Sequence, residues 1–136
     1  MTRKIPTIKV DKASYRNYWK KSGEFRETMR HGVVAGNWNA AALNAIHAGI
    51  SANDAVLACF FGVHSGSPKH DDAVVLLRAQ IPDERSTVAA RHLTRLISIK
   101  NLISYEDRLA TQSEALALVS HAERFLEWAE SLLPGT

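Results

Sequence analysis

The stretch from about Asn37 to Phe61 limits the possible folds more than any other part of this chain. It opens with an alanine-rich run, and further alanines recur along it without a proline. Alanine has the highest helix propensity of all residues, and a proline would break a helix. A set of mainly apolar side chains recurs every three or four residues: Leu43, Ile46, Ile50, Asn53, Leu57 and Phe60. This spacing predicts one long helix, buried along that side, which stops at Gly62.

The other apolar residues follow the same helical period, and short breaks separate the segments. Residues 1–10 contain Pro6 and several β-branched residues, which favours an extended lead-in. We predict helices over about 11–36, 37–61, 70–81, 84–107 and 111–133. Thr111 and Glu114 fit a capping box, in which each side chain binds a free backbone N–H at the helix start. No segment shows strand alternation, so the sequence predicts an all-α, antiparallel up-and-down bundle of four main helices plus a short one.

Length and composition restrict the type of protein. The 136 residues suit a single domain, 1–136, and the lone Cys59 excludes an internal disulfide. No apolar run approaches the ~20 residues of a membrane span, and no apolar signal core follows the N-terminus. We therefore expect a cytoplasmic protein that does not enter a membrane. The net charge of +3 and the pI near 9.2 permit contact with RNA or an acidic partner without requiring either.

The sequence contains none of the common motifs for cofactors, metals or nucleophilic catalysis. There is no Gly-rich phosphate loop followed by Lys-Ser/Thr, and no Gly-x-Ser-x-Gly. The six histidines show no pair at metal-ligand spacing with a matching cysteine or carboxylate. We expect neither a cofactor nor a metal site.

One face of the second predicted helix is polar. Asn44, His47, Ser51 and Asp54 are three, four and three residues apart, which aligns them along the helix. Alanines border this stripe, and small residues let another helix approach closely. The stripe is therefore either a solvated face with one satisfied histidine or the lining of a cleft, and the long charged residues of a solvated face are missing.

Lys100 falls in the middle of an apolar face of the fourth predicted helix, and Tyr105 adds a hydroxyl near the end of that helix. A buried ammonium requires an anionic partner or a route to solvent. Asp54 is the expected counter-charge if the second and fourth helices pack together. A structural Lys100–Asp54 pair and a functional site both fit this pattern.

Two histidines are further polar candidates. His70 opens the third helix beside two aspartates, and a role in capping the helix is enough to explain these aspartates. His64 lies in a Gly/Ser loop with no fixed partner.

Three blocks of the sequence, taken together, resemble the HEPN family (higher eukaryotes and prokaryotes nucleotide-binding domain). They are NWNAAALNAIHAGISAND over 37–54, GVHSGSPKH over 62–70 with the apolar run 73–77, and LISIKNLISY over 96–105. A final amphipathic helix containing AERFLEW over 122–128 follows them. The resemblance implies a helical bundle that dimerises through a helical face. It also implies a role as a ribonuclease toxin or as a partner of a small nucleotidyltransferase.

The ribonucleases of this family use an arginine and, further along the same helix, a histidine. In the third block of this chain Lys100 and Tyr105 occupy those two positions. Lysine lacks the bidentate fork that grips phosphate, and tyrosine, with a pKa near ~10, is a poor base at neutral pH. Literal Arg-spacer-His matches at Arg26–His31 and Arg85–His92 lie outside that block.

Three functions follow from these observations. The first is a non-catalytic module that binds a nucleotide, RNA or a protein partner, within the toxin–antitoxin or nucleotidyltransferase-associated systems that the resemblance implies. Its expected ligand-binding residues are Asn44, His47, Asp54, His70, Lys100 and Tyr105. The second is a metal-independent ribonuclease in which His47 or His70 moves a proton and Lys100 contacts phosphate. The third is a structural or regulatory homodimer in which the polar stripe is an interface.

Overall fold

The computed structural model describes residues 4–135, apart from the side chains of Asn101, Leu102 and Tyr105. Its elements are β1 (Thr7–Lys9), a 3-10 turn (Lys12–Ser14), α1 (Tyr15–Ala35), α2 (Trp38–Phe61), β2 (Val63–Ser65), α3 (His70–Gln80), α4 (Glu84–Ser98), α5 (Lys100–Tyr105) and α6 (Gln112–Leu132). Four long helices, the shorter α3 and the six-residue α5 make up the bundle. The predicted all-α bundle is thereby confirmed.

Helix α2 lies at the centre of the bundle, and α1, α3, α4, α5 and α6 all pack against it. Apart from the exposed Ala40, its alanines are almost entirely buried, together with Gly49, Ile46, Val56 and Leu57. The predicted apolar stripe is only partly correct, because Phe60 is 40% exposed and Leu43 and Ile50 are half-buried. Small side chains occupy the closest contacts instead, since helix backbones approach most closely where side chains are short. No helix among residues 4–135 is long and apolar enough to cross a membrane.

The ends of the helices follow the sequence signals. Gly36 and Gly62 end α1 and α2 with left-handed backbone angles, φ 72° and φ 63°, which suit glycine. Thr111 and Glu114 form the predicted capping box at the start of α6. The Asp11 carboxylate accepts a 3.0 Å bond from the Ala13 N–H and caps the 3-10 turn that leads into α1.

The predicted fourth helix is divided into two. Ile99 leaves the helical path with φ −103° and ψ −3°, so that α4 ends at Ser98 and α5 begins at Lys100. The apolar period continues across this break, which is why spacing alone predicted one helix over 84–107. Both α4 and α5 contact α2, as the pairing of the second and fourth helices required. The break lets Lys100 start a new segment instead of continuing the axis of α4.

A small antiparallel sheet, absent from the sequence prediction, joins the lead-in to the end of α2. Thr7, Ile8 and Lys9 of β1 pair with Ser65, His64 and Val63 of β2. Strands of three residues are too short for alternation to be visible in a sequence. Within the lead-in, Thr7–Lys9 form a strand, and the sheet holds His64 beside α1 and α2.

Two glycines of α1 provide a matched test of this close packing. An added Cβ at Gly32 would lie 3.0 Å from the Ala41 backbone nitrogen of α2, whereas one at Gly23 would meet no atom within 4 Å. Alanine gains roughly 0.5–1 kcal/mol over glycine inside a helix, and overpacking costs about 1–3 kcal/mol. We expect Gly23→Ala to raise the free energy of unfolding and Gly32→Ala to lower it by about 1 kcal/mol in urea titrations. Equal effects of the two changes would contradict the tight α1–α2 contact.

Candidate functional site

Polar and aromatic side chains cluster along the junction of α1 and α2. The two helices are antiparallel, and the Ser22 hydroxyl of α1 donates a 2.8 Å hydrogen bond to the Ala48 carbonyl of α2. We define the polar cleft by side chains from five elements: Tyr18, Lys21 and Phe25 of α1, His47 and Asp54 of α2, His64 of β2, His70 of α3 and Lys100 of α5. His47 and Asp54 share a face of α2 because they are seven residues apart.

The cationic end of the cleft contains His47, His70 and Lys100. Burial, the Lys100 ammonium and His70 lower the pKa of His47. Burial and the Lys100 ammonium also lower the pKa of His70, and Asp71 acts in the opposite direction. Three groups from three different helices therefore interact electrostatically. Both imidazoles are neutral at pH 7, since each pKa lies below its ordinary value.

Lys100 is the most buried member of this end, with only 9% of its surface exposed. It begins α5, which packs directly on α2. The sequence prediction of a lysine on a largely buried face is confirmed. The Phe25 ring lies 5.4 Å from the His47 ring and gives this end an aromatic wall.

The position of His70 depends on the loop before α3. The Ser67 hydroxyl donates a 2.5 Å bond to the Asp72 carboxylate, which is 3% exposed, and accepts one from the Lys69 N–H. Asp72 therefore fixes the loop to the first turn of α3, and His70 begins that turn. Asp71 and Asp72 lie in the first turn of α3, where their charge suits the helix dipole, and the N-cap residue is Lys69.

Asp54 forms an acidic end of the cleft. Burial raises its pKa from 3.8 to about 6, although the neighbouring His64 and Lys21 lower it. Burial and the Asp54 charge raise the pKa of Tyr18. The Tyr18 ring meets the His64 ring edge-on at 6.4 Å, and the Lys21 ammonium lies 6.0 Å from the centre of the Tyr18 ring.

The expected Lys100–Asp54 pair stays a prediction. The named charges that act on Asp54 are those of His64 and Lys21, and the Lys100 charge acts on His47 and His70. His64, expected to lack a fixed partner, contacts Tyr18, and its Nδ1 lies 2.8 Å from the Ser65 carbonyl oxygen.

Two predicted site residues are not joined to the cleft by the described contacts. The Asn44 amide donates a 2.8 Å bond to the Ala40 carbonyl of its own helix. Tyr105 is the last residue of α5, and its side chain lies outside the described residues. Their assignment to the ligand site stays a prediction.

The α1 contribution is the part that the sequence did not reveal. In the sequence, Tyr18 and Phe25 are seven residues apart, a spacing that is typical of the buried face of a helix. Lys21 lies among several basic residues near the start of the chain, which is typical of a solvated surface. The antiparallel pairing of α1 with α2 could have revealed these residues, because it places Tyr18 beside Asp54 and Phe25 beside His47. That pairing becomes useful only when the register of the two helices is known.

A groove of about 600 Å³ lies elsewhere, between α3 and α4. Arg78, Arg91 and Arg95 line it together with Val74 and Val75. Its ionisable lining consists of these arginines and Asp71. We place the candidate site in the polar cleft because titratable groups able to exchange a proton near neutral pH converge there.

Comparison with known proteins supports the sequence resemblance. The HEPN domain family profile matches residues 15–132 of this chain. No curated protein and no solved structure gives a significant match. The matched region runs from the first residue of α1 to the last residue of α6 and contains most of the polar cleft. The chain therefore belongs to the HEPN domain family.

Proposed function

We propose that this HEPN domain binds a phosphate-bearing ligand, a nucleotide or a segment of RNA, in the polar cleft. The observation that carries the proposal is the convergence of Lys100, His47 and His70 from α5, α2 and α3. A lysine that is 9% exposed contributes a fixed positive charge in a place where solvent screens it weakly. Two imidazoles beside it add hydrogen-bond donors for phosphate oxygens.

The chemistry of this end favours an anion over a cation or an apolar group. Burial and the Lys100 ammonium make both histidines harder to protonate, and an anion beside them would favour their protonated forms. Lysine binds phosphate as a point charge, so the replacement of the family's arginine by Lys100 is compatible with binding. The Phe25 ring next to His47 offers an apolar surface for a base or sugar.

The Asp54 end supplies complementary polarity. Asp54 lies two helical turns from His47, about 10 Å along α2 by the ordinary rise of a helix. A carboxyl group with a pKa of about 6 beside Tyr18 and His64 can accept hydrogen bonds from hydroxyl or amino groups. A ligand with phosphate at one end and such donors at the other matches both ends, and nucleotides have this form.

Lys100→Gln tests the cationic end. Losing one charge-assisted bond costs about 1.5–3 kcal/mol, so affinity for a fluorescein-labelled single-stranded RNA and for ATP should fall at least tenfold. Fluorescence anisotropy and calorimetry in EDTA measure the two affinities. The matched control is Lys20→Gln, which removes an exposed lysine of α1 and should change affinity less than twofold. Equal affinities for the two variants, both folded by circular dichroism, would place the ligand outside this cleft.

Asp54→Asn tests the acidic end through stability. The pKa of about 6, raised from 3.8, means that ionised Asp54 weakens the fold as the pH rises through this range. We expect the variant to be about 1–2 kcal/mol more stable than the parent at pH 7.5, with the gain vanishing near pH 4. Urea unfolding at both pH values measures this difference. Asp107→Asn, at an exposed position, is the control and should show no such pH dependence. A loss of stability at pH 7.5 would mean that the carboxylate stabilises the native fold.

A metal-independent ribonuclease is the second candidate, and the presence of two neutral imidazoles beside one ammonium favours it. One imidazole would take the proton of a ribose 2′-hydroxyl, whose oxygen then attacks phosphorus. The bond to the 5′-oxygen breaks, and that oxygen takes a proton from the other histidine in its protonated form. The products would be a 2′,3′-cyclic phosphate and a free 5′-hydroxyl. Lys100 would stabilise the additional negative charge on phosphorus oxygens.

Incubation with mixed RNA in EDTA tests this candidate. Because both histidine pKa values are lowered, cleavage should be fastest on the acidic side of pH 6.5, where one neutral and one protonated imidazole coexist. His47→Ala, His70→Ala and Lys100→Ala should each abolish most cleavage, whereas the exposed His31→Ala should leave it unchanged. Cleavage that survives both His47→Ala and His70→Ala would remove the assignment. Intact RNA with the parent protein would leave binding as the function.

Membership of the family also favours assembly with a second copy of the chain or with another protein. A homodimer, a nucleotidyltransferase partner and a place in a toxin–antitoxin system stay predictions, as does the cytoplasmic location. The third hypothesis, a structural or regulatory dimer, differs from the first in requiring no small ligand. A monomer at micromolar concentration in light scattering would count against it.

A further inference from the structure

Two helices outside the polar cleft carry the same short sequence pattern. Helix α4 contains His92-Leu-Thr-Arg95, and α6 contains His121-Ala-Glu-Arg124. In a helix, residues three apart lie on the same face, so each histidine stands beside its own arginine. The two helices pack against each other, and Leu93 and Ala122, which follow the histidines, are fully buried. The two patterns therefore meet at one seam.

The histidines are in direct contact across this seam. The Nδ1 atoms of His92 and His121 are 2.9 Å apart, and the ring centres are 5.2 Å apart. At this distance one Nδ1 donates a hydrogen to the other, which fixes the tautomers of both rings. The accepting ring then carries its hydrogen on Nε2. The pair thus offers a hydrogen-bond donor that is oriented by the packing of α4 on α6.

The arginines lie on opposite sides of this pair because the helices are antiparallel. Arg124 shares a groove of about 560 Å³ with His92, and Arg95 shares the adjoining groove with His121. Each arginine starts about 4.5 Å along its helix from the histidine pair, which is within the reach of its side chain. Within residues 4–135, and the side chains described there, neither guanidinium forms an ion pair.

The electrostatics of the cluster favour an anion. Burial, His121 and Arg124 lower the pKa of His92, and burial, Arg95 and Arg124 lower that of His121. Two guanidinium groups so close to the pair also disfavour a metal cation. A doubly charged anion would neutralise both arginines and favour uptake of a proton by the histidine pair, which would then present Nε2–H on both rings.

We propose that His92, His121, Arg95 and Arg124 form a second anion site, which binds inorganic phosphate or a phosphate monoester across α4 and α6. The dianion spans the seam, with one guanidinium on each side and the imidazole pair between them. Arginine suits this role because its planar fork binds phosphate oxygens in pairs. The site uses none of the side chains of the polar cleft, so a test of this proposal does not depend on the function proposed for the cleft.

Other charges around the seam are compatible with this occupant. Glu84, Arg85 and Glu127 lie at the Arg124 end of the seam. At the other end Glu114 is held by Arg108 at 2.8 Å, and Glu123 of α6 is held by Arg30 of α1 at 2.7 Å. Two of the neighbouring carboxylates are thus neutralised by arginines outside the cluster.

Phosphate titration of the full-length protein tests the proposal. Histidine imidazole ¹H–¹⁵N correlation spectra would be recorded at pH 7 and constant ionic strength, with chloride replaced by inorganic phosphate. The resonances of His92 and His121 should shift saturably, whereas that of exposed His31 should not. Arg95→Gln and Arg124→Gln should each weaken binding about tenfold. Arg91→Gln, on the same helix but at the α3–α4 groove, should leave it unchanged.

The possible results separate the proposal from general attraction to a basic surface. Dimethyl phosphate, which carries one charge, should bind more weakly than phosphate if the site selects a dianion. Equal affinity for the two would overturn that selectivity. No shift of His92 and His121 beyond that seen with chloride would overturn the site itself. An equal loss in Arg91→Gln would do the same.

Discussion

The close contact between α1 and α2 is the constraint on which the rest of this structure depends. The Ser22 hydroxyl reaches the Ala48 carbonyl, and Gly32 leaves room for the Ala41 backbone. Such an approach is possible only because α2 presents alanines rather than large side chains along this line. The contact sets the register that places Tyr18 beside Asp54 and Phe25 beside His47. The polar cleft is thus a consequence of small residues elsewhere on the same helix.

The bundle retains buried polar groups that a purely structural core would not need. Asn53 is 1% exposed, and its amide donates to the Ala73 carbonyl of α3. Its side-chain oxygen has no hydrogen-bond partner among the described residues. Asp54 is held where its ionised form is disfavoured, and Lys100 is nearly buried. Each of these placements reduces stability relative to an apolar residue of similar size. Polar groups held in this way are candidates for a ligand site.

Membership of the HEPN family establishes the fold, whereas the chemistry depends on individual positions. Lys100 keeps the positive charge that the family's ribonucleases supply with arginine, and it is joined by histidines from α2 and α3 rather than by one from its own helix. In the functions proposed for this chain, phosphate contact and proton transfer would be distributed over several helices. A second basic cluster, on α4 and α6, also places histidines beside positively charged side chains. Two separate clusters of this kind explain why net charge alone does not locate a site.

The sequence by itself determined the helices, their caps and the polar character of one face of α2. Helical period, alanine content, Gly36, Gly62 and the Thr111 capping box act locally, within a few residues, so they can be read from a linear chain. The tertiary structure alone decided three things: the break at Ile99, the β1–β2 pairing and the side chains of α1 that complete the cleft. It also joined His92 to His121. These outcomes depend on helix register and direction, which are set by packing between distant segments and leave no periodic signal in the sequence.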